Sequence, residues 1–167
     1  MKLDQRSQDF SWRERSGPFR VISQAQAQQW NKAGYFILKG ALHEDVIGLL
    51  RSEIDPLESA RELWLREQHD GRMFINRADD ITFTAHLVKV SKIARQFVRL
   101  PVFADLCIDL VASDARLYWD QAVYKKPGTP LEFPWHQDNG YTFVVPQDYL
   151  TCWVPLTSAT VENGCPW

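Results

Sequence analysis

The sequence predicts an α+β fold in which a helical flank packs against a β-sandwich or jelly roll. Two observations support this class. Apolar residues recur at helical spacing through much of residues 21–113, whereas from Asp114 onward short β-type runs alternate with Pro and Gly. In addition, 167 residues with a hydrophobic content of 45% suffice for one domain with a buried core.

The expected organisation is a polar N-terminal lead-in over residues 1–20 followed by one domain over residues 21–167. Within the domain, we expect the helical flank to cover residues 21–113 and the first strands of the β region to cover residues 114–167. The sequence shows no internal repeat and no low-complexity tract that would suggest a different division.

Local signals place the first helix and strand. Ser23 followed by Gln26 forms a capping-box pattern, and Gly34 is the residue type favoured just beyond a helix, so we expect a helix over residues 23–33. The apolar and aromatic residues 35–38 lie between two glycines, which predicts a short buried strand.

Further helices follow, and then the β-type runs. A second helix is expected to begin near His43, with Pro56 either kinking or restarting it, and residues 84–98 and the segment opened by Pro101 have helical periodicity. The short β-type runs are residues 117–119, 122–124, 133–136, 141–145 and 150–156.

Composition and charge exclude several classes of function. A net charge of -2 gives no basic footprint for nucleic acid, and no apolar run reaches the roughly 18 residues of a membrane span. The charged N-terminus lacks the apolar segment of a secretory signal, so we expect a cytoplasmic protein without a membrane partner. Cys107, Cys152 and Cys165 form no pair at metal-site spacing and are expected to be reduced core thiols.

His136 and Asp138 are the first candidates for chemistry. Residues two apart in a strand point to the same side, so this spacing would present an imidazole and a carboxylate on one face. Those ligands are two thirds of the facial triad that holds Fe(II) and leaves three coordination positions open. A partly exposed histidine beside a turn aspartate is the alternative interpretation of the same pattern.

Six segments keep a common order and spacing, and together they resemble a known family. The segments are GYFILKGAL (34–42), LLR (49–51), KPG (126–128), WHQDNGY (135–141), TCWVPL (151–156) and ENGC (162–165). They are similar to the phytanoyl-CoA dioxygenase family of Fe(II)- and 2-oxoglutarate-dependent oxygenases, over about residues 19–167. The resemblance implies that the β region is an incomplete double-stranded β-helix and that residues 21–167 are a partial dioxygenase domain.

The resemblance also implies site residues and cofactors. His136 and Asp138 would bind Fe(II), the cosubstrate 2-oxoglutarate would chelate the metal, and O2 and a small-molecule substrate would complete the reaction. Trp153 matches a family tryptophan beside 2-oxoglutarate, with a core tryptophan as the alternative. Asp120 and Tyr124 share strand parity and are candidates for cosubstrate binding, with a surface role as the alternative. Because Asp138 keeps the carboxylate that halogenating relatives lack, hydroxylation is favoured over halogenation.

The resemblance is incomplete at the C-terminus. The family has a second metal histidine and a 2-oxoglutarate-binding arginine downstream of the segment that matches 162–165, and the sequence offers neither there. His43, His69 and His86 are expected to be solvated or capping residues rather than replacement ligands. We therefore expect a truncated dioxygenase chain that is inactive in isolation.

Other functions stay open at this stage. The chain also fits a catalytically silent jelly-roll binding module, and a zinc hydrolase on a similar barrel would need a further histidine cluster. The substrate is equally open: an acyl-CoA, a free small metabolite and a natural-product intermediate all fit, and the sequence does not specify the oligomeric state. Lys125 and Lys126 are expected to be a solvated pair.

Overall fold

The computed structural model describes residues 5–7, 10–128, 136, 138 and 143–165. The chain divides into two compact units. The first unit comprises Met1–Ala41, Leu100–Arg116 and Glu132–Trp153, and the second comprises Leu42–Arg99, Leu117–Leu131 and Val154–Trp167. In the described residues, the helices and strands in chain order are α1 (Gln24–Ala33), α2 (Glu44–Arg66), β1 (Arg72–Met73), β2 (Asn76–Arg77), β3 (Ile81–Ala85), α3 (Leu87–Val90), α4 (Lys92–Phe97), α5 (Pro101–Leu110) and β4 (Gln121–Lys125).

The first unit contains α1, whose predicted boundaries are confirmed. The Ser23 backbone N–H donates to Gln26 Oε1 at 2.9 Å, and the Gln26 N–H donates back to Ser23 Oγ at 3.2 Å. Gly34 ends the helix in the left-handed region, with a φ of 76°, where a residue without Cβ is unstrained. Local side-chain chemistry is therefore sufficient to define this helix.

Helix α5 supplies the other half of the first unit's core. It begins with Pro101 at its first turn, as predicted. The fully buried members of this core are Ile22, Ala27, Leu106 and Leu110. On the same helix, the buried Asp109 carboxylate accepts the backbone N–H groups of Arg20, Val21 and Ile22 at 2.8, 3.0 and 3.2 Å. One side chain thus satisfies three consecutive donors on the segment that leads into α1.

Residues 35–38 do not form the predicted buried strand. They alternate as a strand would, because Phe36 and Leu38 pack against the first unit's core while Tyr35 and Ile37 are exposed. Their backbone pairs with no strand in the described part of the chain. Alternation predicts a face, but a strand also needs a neighbouring backbone with which to bond.

The second unit is built on a four-stranded antiparallel sheet in the order β1-β2-β3-β4. β3 and β4 pair from Ile81↔Lys125 to Ala85↔Gln121. Helix α2 packs against these strands and begins at His43, as predicted, and it continues through Pro56 without restarting. The buried core of this unit consists of Leu50, Ile54, Leu87, Ala94 and Ala122.

Two of the sequence-based assignments in this unit need correction. Residues 84–98 are not one helix: Thr84 and Ala85 end β3, His86 turns the chain with a φ of 61°, and only then do α3 and α4 follow. The β1–β2 hairpin and β3 were not predicted. The β-branched residues in 81–85 favour a strand, and pairing with β4 outweighs the helical periodicity of this stretch.

The β region is confirmed in part. The run 122–124 forms part of β4, whereas 117–119 and 150–156 are not strands. Residues 133–135 and 141–142 of the other two runs lie outside the described residues, and His136 and 143–145 are not in a strand. The structure is therefore a mixed α+β chain whose described residues contain a four-stranded antiparallel sheet, and the predicted double-stranded β-helix is not confirmed in them.

Two further predictions concern the cysteines and membranes. All three cysteines are free, and Cys107 and Cys165 are half-buried, but Cys152 is exposed and is not a core thiol. Cys152 lies in a stretch without regular structure, which does not enclose it. Among the helices that the structure describes, none is both long and apolar enough to span a membrane.

Candidate metal centre

The structure brings His136 and Asp138 together in the first unit. His136 Nε2 lies 3.3 Å from Asp138 Oδ1, and the two side chains are 27% and 40% exposed. They do not share a strand face as predicted, because Asp138 lies in a turn. Asn139 and Gly140 follow it in the sequence, and both residue types favour turns. A turn therefore brings together the two groups that the sequence had assigned to a strand.

The separation of these two atoms fits a shared metal ion. Two ligands on adjacent octahedral positions, each about 2.1 Å from the metal, have donor atoms about 3.0 Å apart. The 3.3 Å between His136 Nε2 and Asp138 Oδ1 is close to that value. The His43–Asp45 and His69–Asp70 pairs have similar separations of 3.1 and 3.0 Å, so distance alone does not single out the His136 pair. A neutral imidazole nitrogen and a carboxylate oxygen also suit Fe(II). In the described residues, no group of three or more potential ligands surrounds a common point, so this candidate half-site would supply two protein ligands.

Thr151 is a member of the half-site that the sequence did not indicate. Its hydroxyl donates to Asp138 Oδ2 at 2.8 Å, so the two carboxylate oxygens of Asp138 have different partners. The two residues are 13 positions apart, and only the chain's path between them creates the contact. The one available signal was the position of Thr151 at the start of the TCWVPL segment.

Trp153 lies two residues beyond Thr151, in the same unit. The residue is 59% exposed, so it is not the core tryptophan of the alternative interpretation. An exposed indole offers an apolar face that a bound molecule would cover. Its proposed contact with 2-oxoglutarate stays a prediction.

Asp120 and Tyr124 lie in the second unit, and each has a structural contact there. Asp120 Oδ1 accepts the Val88 backbone N–H at 3.1 Å, at the start of α3. The Tyr124 hydroxyl donates to Asp55 Oδ1 on α2 at 2.6 Å. Burial, followed by this hydrogen bond and the negative charge of Asp55, raises the pKa of Tyr124 well above its usual range.

Lys126 is not the solvated lysine expected from the sequence. Its ammonium group pairs with the buried Glu58 carboxylate of α2, which also accepts the Thr82 hydroxyl at 3.0 Å. The Lys126 backbone N–H donates to the Asp80 carbonyl at 2.7 Å. Lys125, in contrast, is exposed, so the two adjacent lysines have different roles.

Of the remaining histidines, His43 and His69 behave as expected, whereas His86 is half-buried and makes no side-chain capping hydrogen bond. His43 caps α2, where its Nδ1 accepts the Asp45 N–H at 3.3 Å. The His69 side chain is almost fully exposed beside Asp70. His86 packs edge-on against Trp119, with ring centroids 4.5 Å apart. In the part of the chain that the structure describes, none of them belongs to a cluster of three potential metal ligands.

These features define an α+β protein with a candidate site for a single divalent metal ion. The phytanoyl-CoA dioxygenase family model matches residues 30–167, and the chain belongs to that family. A phytanoyl-CoA dioxygenase from Arabidopsis thaliana is 26% identical over 99 residues. The match covers 59% of this chain and 35% of that relative, so the chain spans about a third of the relative's length. No solved structure is significantly similar to the chain.

Proposed function

We propose that this chain supplies the iron half-site of an Fe(II)- and 2-oxoglutarate-dependent dioxygenase. The observation that carries the proposal is the place of His136 and Asp138 in the WHQDNGY segment, within the residues that match the family model. The 3.3 Å between His136 Nε2 and Asp138 Oδ1 is compatible with neighbouring ligands of one metal ion. Membership of the phytanoyl-CoA dioxygenase family supports the same reaction type. The substrate class is a small organic or acyl molecule with an unactivated C–H bond.

The reaction has a simple balance. 2-Oxoglutarate and O2 are converted with the substrate R–H into succinate, CO2 and R–OH, so one oxygen atom enters succinate and the other enters the product. Bound Fe(II) supplies the redox chemistry that activates O2. Because Asp138 provides a carboxylate ligand, a halide has no vacant position in its place, and hydroxylation is the expected outcome.

The residues of this chain have separate tasks in that reaction. His136 offers a neutral nitrogen, and Asp138 offers an anionic oxygen that offsets part of the metal's charge. Two ligands fix the metal on one side and leave the other side for 2-oxoglutarate and O2. We assign cosubstrate contact to the exposed Trp153. The side-chain hydrogen bonds of Asp120 and Tyr124 favour structural roles for those two residues.

The test is metal-dependent binding of 2-oxoglutarate, because the described residues provide only a half-site and turnover would need a third ligand. Calorimetry under anaerobic conditions would measure the affinity of the chain for 2-oxoglutarate with and without Fe(II). We expect tighter binding with Fe(II), loss of that difference in His136→Ala, and its retention in His69→Ala, which changes an almost fully exposed histidine.

Two results would contradict the proposal. If Fe(II) does not change the affinity of the wild-type chain for 2-oxoglutarate, the silent binding module becomes the better interpretation. If His136→Ala and His69→Ala behave alike, the metal is bound elsewhere. Circular dichroism of each variant checks that the fold is unchanged.

A further inference from the structure

Asp138 has two carboxylate oxygens in different environments, and this asymmetry bears on how the residue binds a metal ion. Oδ1 lies 3.3 Å from His136 Nε2, on the side where the ion would bind. Oδ2 accepts the Thr151 hydroxyl at 2.8 Å, a normal length for an O–H···O hydrogen bond. The carboxylate is therefore held with one oxygen toward the histidine and the other toward Thr151.

We propose that Thr151 is a positioning residue that keeps Asp138 a one-oxygen ligand of the metal ion. The inference rests on the function proposed above. Carboxylates bind metals through one oxygen or through both. A hydrogen bond to Oδ2 uses one of its lone pairs and fixes the plane of the carboxylate, and both effects oppose rotation into a two-oxygen arrangement.

The number of free coordination positions explains why this matters. A facial triad leaves three positions on an octahedral ion. Chelation by 2-oxoglutarate takes two of them, and O2 needs the third. If Asp138 bound through both oxygens, it would occupy one of these positions and compete with the cosubstrate. The hydroxyl of Thr151 thus protects a position that the reaction requires.

The location of Thr151 makes the proposal testable without unfolding the protein. Thr151 and Asp138 are both exposed, so a hydrogen bond between them competes with water and contributes little to stability. Thr151→Val replaces the hydroxyl by a methyl group of similar size and leaves no cavity. Thr151→Ser restores the hydroxyl, and Thr157→Val is a matched control at another exposed threonine.

The experiment uses Co(II) as a spectroscopic substitute for Fe(II) in the 167-residue chain. We expect Thr151→Val to change the visible Co(II) absorption, because the coordination by Asp138 changes. Thr151→Ser and Thr157→Val should keep the wild-type spectrum. A threonine that only stabilises the fold would lower the melting temperature and leave the spectrum unchanged.

His136→Ala separates failure of this inference from failure of the proposed function. If His136→Ala abolishes Co(II) binding while Thr151→Val keeps the wild-type spectrum, the role of Thr151 is wrong and the half-site stands. If His136→Ala binds Co(II) as tightly as wild type, the half-site itself is wrong.

Discussion

Asp109→Asn should destabilise the first unit strongly, because one buried carboxylate serves three backbone donors. The N–H groups of Arg20, Val21 and Ile22 all donate to it within 3.2 Å. The asparagine amide has one acceptor oxygen and no charge. Its NH2 group is itself a donor, so it cannot accept a hydrogen bond from the backbone N–H groups that it faces. Hydrogen bonds to a charged group contribute about 1.5–3 kcal/mol each. Two of the three backbone N–H groups can bond to water once they lose the carboxylate, so we expect the free energy of unfolding to fall by about 3 kcal/mol.

Urea denaturation followed by circular dichroism would measure this loss. With a slope of about 2 kcal/mol per M, the midpoint should fall by roughly 1.5 M, and the melting temperature should fall by about 6–12 °C. The matched control is Asp105→Asn, one turn earlier on α5, where the carboxylate forms an exposed ion pair with Arg20 at 3.4 Å. Its effect should stay below about 0.5 kcal/mol. Equal shifts for the two variants would refute the reasoning.

Three further predictions concern other contacts. Lys126→Met should lower the free energy of unfolding by about 2 kcal/mol, measured by urea denaturation, because it leaves the buried Glu58 carboxylate without its cation. The control Lys125→Met should change it very little, and equal losses for the two variants would contradict the pairing. Because the pKa of Tyr124 is raised, its contribution to stability is complete below pH about 10 and is lost as the pH rises through the folded pKa. Tyr124→Phe should therefore remove one tyrosinate step above the usual tyrosine range from an alkaline absorbance titration, and an unchanged titration would contradict the assignment. Ser23→Ala should lower the stability of α1 by about 1 kcal/mol and Ser23→Gly by only a few tenths of a kcal/mol, measured by hydrogen exchange of the α1 amides. Equal losses for the two variants would exclude a capping role.

The features that the sequence predicted well are those defined by neighbouring residues. The capping box of Ser23 and the C-terminal Gly34 involve residues within one helix, and the structure reproduces both. His136 and Asp138 are two residues apart, so any compact local backbone brings their side chains close. The prediction of a strand was wrong for this pair, but the prediction that the two groups meet does not depend on a strand.

The features that the sequence did not predict depend on distant partners. β3 forms because it pairs with β4, some 40 residues later in the chain. The helical periodicity of residues 84–98 does not indicate that pairing. Residues 35–38 have the alternation of a strand but lack a neighbour within the described residues. The contact of Thr151 with Asp138 spans 13 residues and arises from the path of the intervening chain. Non-local pairing is the information that a single sequence does not display.

The central claim is that His136 is the histidine that binds the metal, and an NMR titration tests it most directly. Imidazole signals of the isotope-labelled chain would be followed while Fe(II) is added without oxygen. The paramagnetic ion should broaden the signals of His136 first, and Asp138→Ala should weaken that response. His43, His69 and His86 should respond only at higher Fe(II) concentrations, because they lie outside the WHQDNGY segment to which the metal site is assigned. Broadening of any of these three before His136 would contradict the account.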